Sequence, residues 1–245
     1  MTSAPDTEAR VAIVSGTSSG IGAAVAEAFL RRGYTVVGLS RRGNKELSRH
    51  ESYADCPVDL RDQQATRTAL EPAVFAADAV VINAGVSPGA RSLAEVSWPM
   101  ASETYESNVR TALNLIQAAA PLLQRRGGGS LTFVGASIAN GLVPDRWAYA
   151  ASKAAMTALM RACSVEYAAS GIVSNEVRPG PVGTPMTLGT DGAEVSDHIL
   201  SMINAGFRTD WLKPAHTVAD WIVSLAEFPP NGPTGQIYNY SRKAL

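Results

Sequence analysis

A tyrosine and a lysine stand four places apart in the stretch Trp147-Ala148-Tyr149-Ala150-Ala151-Ser152-Lys153, inside a run of alanines that favours helix. At 3.6 residues per turn, Tyr149 and Lys153 project from one helix face, one above the other. The chemistry that suits such a pair is proton transfer. A carbonyl reduced at carbon develops alkoxide charge and needs a proton donor within hydrogen-bond reach, and the reverse reaction needs a base. A free phenol, with a pKa of about 10, is a poor base near neutrality. An ammonium about 5 Å away, at an effective dielectric of about 20, favours phenolate by roughly 3 kcal/mol, or about two pKa units before desolvation takes some back. The spacing therefore predicts an acid/base, Tyr149, and its tuner, Lys153, on one rigid turn. Alanine-rich helices also carry this pair by chance, so the reading depends on the rest of the chain.

The bulk properties narrow what that chain can be. Its 245 residues are 46% hydrophobic and 18% charged, enough to bury a substantial core in one domain spanning 1–245. With 21 basic and 22 acidic residues the formal net charge is −1, which gives no electrostatic footprint for nucleic acid or a membrane surface. Two cysteines, Cys56 and Cys163, make neither a disulfide framework nor a zinc site, and no metal is expected. The polar start Met1-Thr2-Ser3-Ala4-Pro5 lacks an apolar signal core, and no apolar run approaches a membrane span. The expected compartment is the cytoplasm.

Short apolar runs alternate with amphipathic segments along the whole chain. Strands are predicted at Val11-Ala12-Ile13-Val14, Tyr34 to Leu39, a short run ending near Val58, Ala79-Val80-Val81-Ile82, Ser130 to Val134, Ile172 to Val177 and Gln236-Ile237-Tyr238. Helices are predicted over about 20–32, 62–73, 101–125 and 148–169. About seven strands with helices between them imply right-handed crossovers and a doubly wound parallel sheet, an α/β fold with helices on both faces. No internal repeat or dividing linker interrupts the pattern.

Directly after the first strand comes Ser15-Gly16-Thr17-Ser18-Ser19-Gly20-Ile21-Gly22, with spacing G-x-x-x-G-x-G. Glycines here let the backbone turn tightly and approach a pyrophosphate, while the opening helix presents unpaired N–H groups and its positive dipole end. A lone glycine cluster is weak evidence, and its strand-turn-helix context is what strengthens it.

With these features in place the chain resembles the short-chain dehydrogenase/reductase family over nearly its whole length. The resemblance rests on separated motifs in the family's order: the Gly16–Gly22 turn, Asp59-Leu60 after the third strand, Asn83-Ala84-Gly85 after the fourth, Asn108 in the long helix, Ser137 after the fifth strand, Tyr149-x-x-x-Lys153, and Pro179-Gly180 with Thr184 after the sixth. It implies a Rossmann oxidoreductase that moves hydride between a nicotinamide cofactor and a carbonyl or alcohol of a small molecule. By the same resemblance Ser137 hydrogen-bonds the substrate oxygen, Asn108 anchors a water relaying protons towards Lys153, and Lys153 also holds the nicotinamide ribose. The cofactor-binding set it implies is Gly16, Ser18, Ser19, Gly20, Ile21, Gly22, Ser40, Arg41, Arg42, Asp59, Leu60, Asn83, Gly85, Tyr149, Lys153, Pro179, Gly180, Val182 and Thr184. For Asn83 the preferred reading is a bracket between neighbouring strands. Two features depart from the family pattern. The Ser137-to-Tyr149 interval is one residue shorter than in most members, and the C-terminal Tyr238-Asn239-Tyr240 stretch lacks their paired glycines.

The end of the second strand, Gly38-Leu39-Ser40-Arg41-Arg42, bears on cofactor choice. A carboxylate at that corner would bind the ribose hydroxyls and repel a 2′-phosphate; Ser40 stands in its place, and two arginines that suit a phosphate dianion follow. NADP(H) is the expected cofactor, although two arginines after a strand also read as a solvated pair and Ser19 is not the basic residue many NADP users carry. Thr184 is placed to hydrogen-bond the carboxamide. From about 188 to 213 the periodicity weakens, as expected of a lid over substrate, and Trp147, Met186 and Trp211 are candidate wall residues. Alternative readings are an NADPH-sensing module without turnover and an epimerase or dehydratase on the same scaffold. The family commonly pairs through its long helices, and small residues such as Ala150, Ala154 and Ala158 suit close approach, so a homodimer or homotetramer is expected.

Overall fold

The structure is a computed structural model and describes residues 9–71, 76–89, 91–139, 144–188 and 211–241. Seven parallel strands form one sheet in the order β3-β2-β1-β4-β5-β6-β9: β1 (Val11–Ser15), β2 (Thr35–Ser40), β3 (Tyr53–Pro57), β4 (Ala79–Ile82), β5 (Gly129–Val134), β6 (Ile172–Arg178) and β9 (Ile237–Asn239). Strand order reverses between β1 and β4, which pair through Ala12–Val14 and Ala79–Val81. In a doubly wound sheet the crevice beyond the carboxyl ends of the strands at this point is where ligands bind. Every residue of β1, β4 and β6 is buried, as strands covered on both faces require.

Two apolar layers flank the sheet. On one side α2 (Gln63–Leu70), α4 (Thr111–Arg126) and α5 (Trp147–Glu166) cover it with Leu70, Leu115, Leu123, Met156 and Met160. On the other, α1 (Gly20–Arg31) and α7 (Ala215–Ala226) contribute Val25, Phe29, Val218, Ile222 and Val223. The helix α7 is absent from the sequence expectations, yet its buried Val218, Ala219, Ile222, Val223 and Ala226 recur at helical spacing. Its Trp221 ring lies 4.6 Å from that of Tyr240, so aromatic packing occupies the C-terminal stretch where paired glycines were noted as missing.

The helix expected over 101–125 starts earlier and is not uniform. It opens at Trp98 with Pro99 in its first turn, where a missing N–H costs nothing, and runs as α3 (Trp98–Tyr105), a π turn over Glu106–Arg110, and α4. Two short strands, β7 (Val182–Gly183) and β8 (Lys213–Pro214), pair beyond the sheet, with the single helical turn α6 (Pro185–Leu188) between them in sequence. Most of the expected lid, and part of the short Ser137–Tyr149 interval, lie outside the described residues.

Candidate active site

A cavity of about 580 Å³ opens at the carboxyl ends of the strands across the β1/β4 switch. Its wall brings together Gly16, Ser18, Ser19, Gly20 and Ile21 from the turn after β1; Ser40, Arg41 and Arg42 after β2; Asp59 and Leu60 after β3; and Asn83 and Gly85 after β4. Ser137 follows from the end of β5, Tyr149 and Lys153 from α5, and Pro179, Gly180, Val182 and Thr184 from the end of β6. Gly22 and Asn108 were expected in the same set and stand behind the wall, where each holds lining residues in place.

The glycine turn is built for close approach. Gly16 and Gly20 sit at φ +76° and +62°, the left-handed region that favours glycine. A Cβ on Gly22 would lie 2.3 Å from the Gly16 carbonyl oxygen and 2.5 Å from Asn83 Nδ2, so a side chain there would break the turn. Asn83 ties β4 to β1, its Nδ2 donating to Ser15 O at 2.9 Å and its backbone N–H to Ser15 Oγ at 2.9 Å. Ser19 precedes α1 in extended conformation and its side chain makes no cap bond, so side-chain capping leaves the first-turn N–H groups open to an anion.

After β2 the chain is fixed from below. Ser40 Oγ accepts from Gly43 N at 3.1 Å, Asn44 Nδ2 donates to Thr17 O at 2.8 Å, and Asn44 N donates to Asp55 Oδ2 at 3.1 Å. Arg41 and Arg42 are exposed at this held corner. After the neighbouring β3, Asp59 is bound by Arg61, Nη2 to Oδ2 at 2.6 Å, and this bond is the main reason its carboxyl is held below the usual carboxylate range; the Arg41 charge adds to it. Arg61 also reaches Glu103 at 3.1 Å and lines the cavity. It was not singled out from sequence, and its only signal is its place two residues after Asp59.

At the other end of the cavity stand Ser137, Tyr149 and Lys153. The entry to α5 is pinned: Asp145 takes φ +62°, its carbonyl accepts from Arg91 N at 3.0 Å, and Arg146 Nη1 donates to Pro88 O at 2.6 Å. Tyr149 follows in the first turn of α5, and Ser137 in a short 3₁₀ turn after β5. Lys153, buried, donates from Nζ to Val134 O at 3.0 Å and lies 5.9 Å from the centre of the Tyr149 ring.

The electrostatics correct the expected tuning of Tyr149. Burial pushes its phenol up to about 12, and the opposing charge is Arg146, not Lys153. Burial also pushes the Lys153 ammonium down to about 8, against which Glu176 acts. In the free protein, desolvation therefore outweighs the attraction that the four-residue spacing promised.

Asn108 reaches this centre through the π turn, an insertion that aims one side chain inward and is common at functional sites. It is fully buried. Its Oδ1 accepts from Val86 N at 2.7 Å, and its Nδ2 donates to Val86 O at 3.0 Å and to Ser152 Oγ at 2.9 Å. Ser152 in turn donates to Tyr149 O at 2.8 Å, so Asn108 locks the loop beyond Gly85 to the helix that carries Tyr149 and Lys153.

These residues fit a nicotinamide dinucleotide. The glycine-rich Gly16–Gly22 turn and open helix terminus suit a pyrophosphate, the Ser40–Arg42 corner an adenosine ribose, and the Tyr149, Lys153 and Thr184 end a nicotinamide riboside. Among the described residues there is no cluster of metal-ligating side chains, and no helix is long and apolar enough to cross a membrane.

A family model described as short chain dehydrogenase matches residues 10–193. The chain is 33% identical over 208 residues to 2-(R)-hydroxypropyl-CoM dehydrogenase of Xanthobacter autotrophicus, covering 79% of this chain and 83% of that protein. It is 32% identical over 206 residues to a sorbose reductase of Schizosaccharomyces pombe, covering 78% and 80%. Among solved structures, 3-ketoacyl-(acyl-carrier-protein) reductase from Brucella melitensis complexed with NADH superimposes with a TM-score of 0.84 at 19% identity, over 97% of this chain and 98% of that one. ElxO with NADP bound gives 0.80 at 22% identity, over 95% and 97%.

Proposed function

This chain belongs to the short-chain dehydrogenase/reductase family, and we propose that it is an NADP(H)-dependent reductase of a small carbonyl compound, with Tyr149 as the acid/base. Its family membership makes it an oxidoreductase that uses a nicotinamide cofactor. The observation that carries the finer reading is that Ser137, Tyr149 and Lys153 open onto the same cavity as the glycine turn.

A bound nicotinamide supplies hydride to the carbonyl carbon. Around it, the Gly16–Ile21 turn and the N-terminus of α1 hold the diphosphate, and Thr184 the carboxamide. Ser137 Oγ donates to the carbonyl oxygen and holds it in place. Tyr149 delivers the proton to that oxygen as alkoxide charge develops; a phenol held near 12 stays protonated at neutral pH and is a donor in waiting. Lys153 binds the ribose hydroxyls, and the Arg146 charge favours the phenolate left behind. Asn108 keeps α5 and the Gly85–Val86 segment in register, and the water-mediated proton supply to Lys153 is assigned to its turn.

Preference for NADP(H) is supported by Ser40 in the place of a carboxylate and by Arg41 and Arg42, exposed on the cavity rim. Assembly as a dimer or tetramer is supported by Trp98 at 73% and Val165 at 77% exposure, large apolar side chains on α3 and α5. Light scattering should give a multiple of 25.7 kDa; a mass at 25.7 kDa contradicts it.

The reading of function is tested by following NADPH oxidation against a panel of ketones, quinones and cyclic enones. At least one should be reduced at a rate above background. Binding of NADPH without turnover of any of them would favour the sensing module.

A further inference from the structure

The strand β6 carries a buried ion pair against a largely apolar layer. Glu176 and Arg178, two residues apart and so on the same face, are 1% and 2% exposed and pair through Arg178 Nε and Glu176 Oε1 at 2.6 Å. They face α5: Glu176 is in register with Phe133, which packs among Met156 and Met160. The pair joins α5 by one hydrogen bond, which a second bond within the helix carries on to Lys153. Arg178 Nη2 donates to Thr157 Oγ1 at 3.1 Å, and Thr157 Oγ1 donates to the carbonyl oxygen of Lys153 at 3.2 Å. A buried ion pair costs several kcal/mol of desolvation per ion, and apolar residues of similar volume often do as well or better for stability. Glu176 therefore calls for a reason beyond packing.

Two features of its surroundings bear on that reason. A Cβ on Gly135 would lie 2.0 Å from Glu176 Oε1, so the carboxylate occupies the space a side chain would fill behind the backbone leading to Ser137. Its second oxygen, Oε2, is buried and has no hydrogen-bond partner among the described residues. An unbonded carboxylate oxygen contributes field without contact. Lys153, whose Nζ bonds the residue just before Gly135, is the group on which that field acts.

We propose that Glu176, clamped by Arg178 behind Gly135, is a positioning residue for the active site: the fixed counter-charge that keeps buried Lys153 an ammonium. The inference rests on the reading of Lys153 as the partner of Tyr149 and adds what maintains it. The other charged or titratable groups around α5 do not take this part. Tyr149 and Arg146 lie on its own first turn; Glu106 and Arg110 of the π turn pair with each other at 2.7 Å on the surface; and Glu103 of α3 is turned to Arg61. β5 and the Ser137 turn contribute no charged side chain.

The test follows the Lys153 ammonium by NMR in the full chain labelled with ¹³Cε-lysine, without cofactor, its resonance assigned by loss in Lys153→Met. Glu176→Gln alone strands the Arg178 cation, so the variant to compare is Glu176→Gln with Arg178→Met, which removes both charges. The wild-type midpoint should lie near 8 and that of the double variant measurably below it, the loss of the Arg178 cation offsetting part of the loss of the carboxylate. Glu176→Asp, which withdraws the carboxylate by one methylene, should lie between them and decides the matter if the double variant does not fold. A midpoint that stays at the wild-type value in the variant that folds overturns the proposal. In turnover, the alkaline limb of kcat should move down with the midpoint while KM holds, a pattern that loss of packing alone does not give. The titration needs neither substrate nor cofactor, so a failed carbonyl screen overturns the proposed function separately.

Discussion

Lys153 Nζ donates to the backbone carbonyl of Val134 at 3.0 Å, which fastens the second turn of α5 to the end of the strand that leads into Ser137. The bond makes Lys153 a structural strut in the free protein as well as a charge. Three proposed functional side chains, Ser137, Tyr149 and Lys153, thus share one joint between β5 and α5.

The burial of that joint has a pH signature. Lys153 titrates at about 8 in the folded chain and at its ordinary 10.5 unfolded, so between these values the unfolded state holds more protons. Its contribution to stability rises as pH increases from 8 to 10.5, by up to about 3 kcal/mol. Urea unfolding at pH 7.5 and 9.5, compared with Lys153→Met, should show wild type gaining on the variant at the higher pH; an equal response in both contradicts the burial.

Gly22 faces its own turn, not the cavity, and its role is mechanical. Gly22→Ala places a methyl 2.3 Å from the Gly16 carbonyl oxygen and 2.5 Å from Asn83 Nδ2, which is itself tied to Ser15 O. The variant should lose about 1–3 kcal/mol of stability, as overpacking does, and bind both NADPH and NADH more weakly. Unchanged denaturant midpoint and affinity would show that the turn is looser than the contact indicates.

On the proposed reading, the arginine corner separates the two cofactors. If Arg41 binds the 2′-phosphate by a charge-assisted hydrogen bond, Arg41→Ala should weaken NADPH by roughly ten- to a hundred-fold, the lower end if Arg42 shares the load. NADH, lacking that phosphate, should change little. Titration of both cofactors against wild type and Arg41→Ala checks this, and equal weakening would remove the assignment.

Much of this architecture is legible in the sequence because its signals are local. The apolar runs of β1, β4, β5 and β6, the glycine turn and the Tyr149–Lys153 spacing each lie within one element, and the site residues follow the ends of those strands. What the sequence hid is mostly non-local. Nothing near Asn108 shows that its amide binds Val86 and Ser152, because a π turn reorients it and has no period to read. The partner of Lys153 is a backbone carbonyl nineteen residues upstream, and desolvation of Tyr149 depends on packing that spacing cannot express. Glu176 reads as a polar residue in a strand until the sheet puts Gly135 beside it. The helix α7 is a different case, since its periodicity was available in Val218, Ile222 and Val223.

The central claim is that Tyr149 moves the proton in carbonyl reduction, and it is tested most directly by Tyr149→Phe, which removes one hydroxyl from the cavity wall. For a carbonyl compound that the wild-type protein reduces, the kcat of NADPH oxidation should fall by roughly 10²–10⁴, while NADPH affinity and the denaturant midpoint stay near wild type. A variant that folds, binds NADPH and reduces the same compound at close to the wild-type rate would contradict the account.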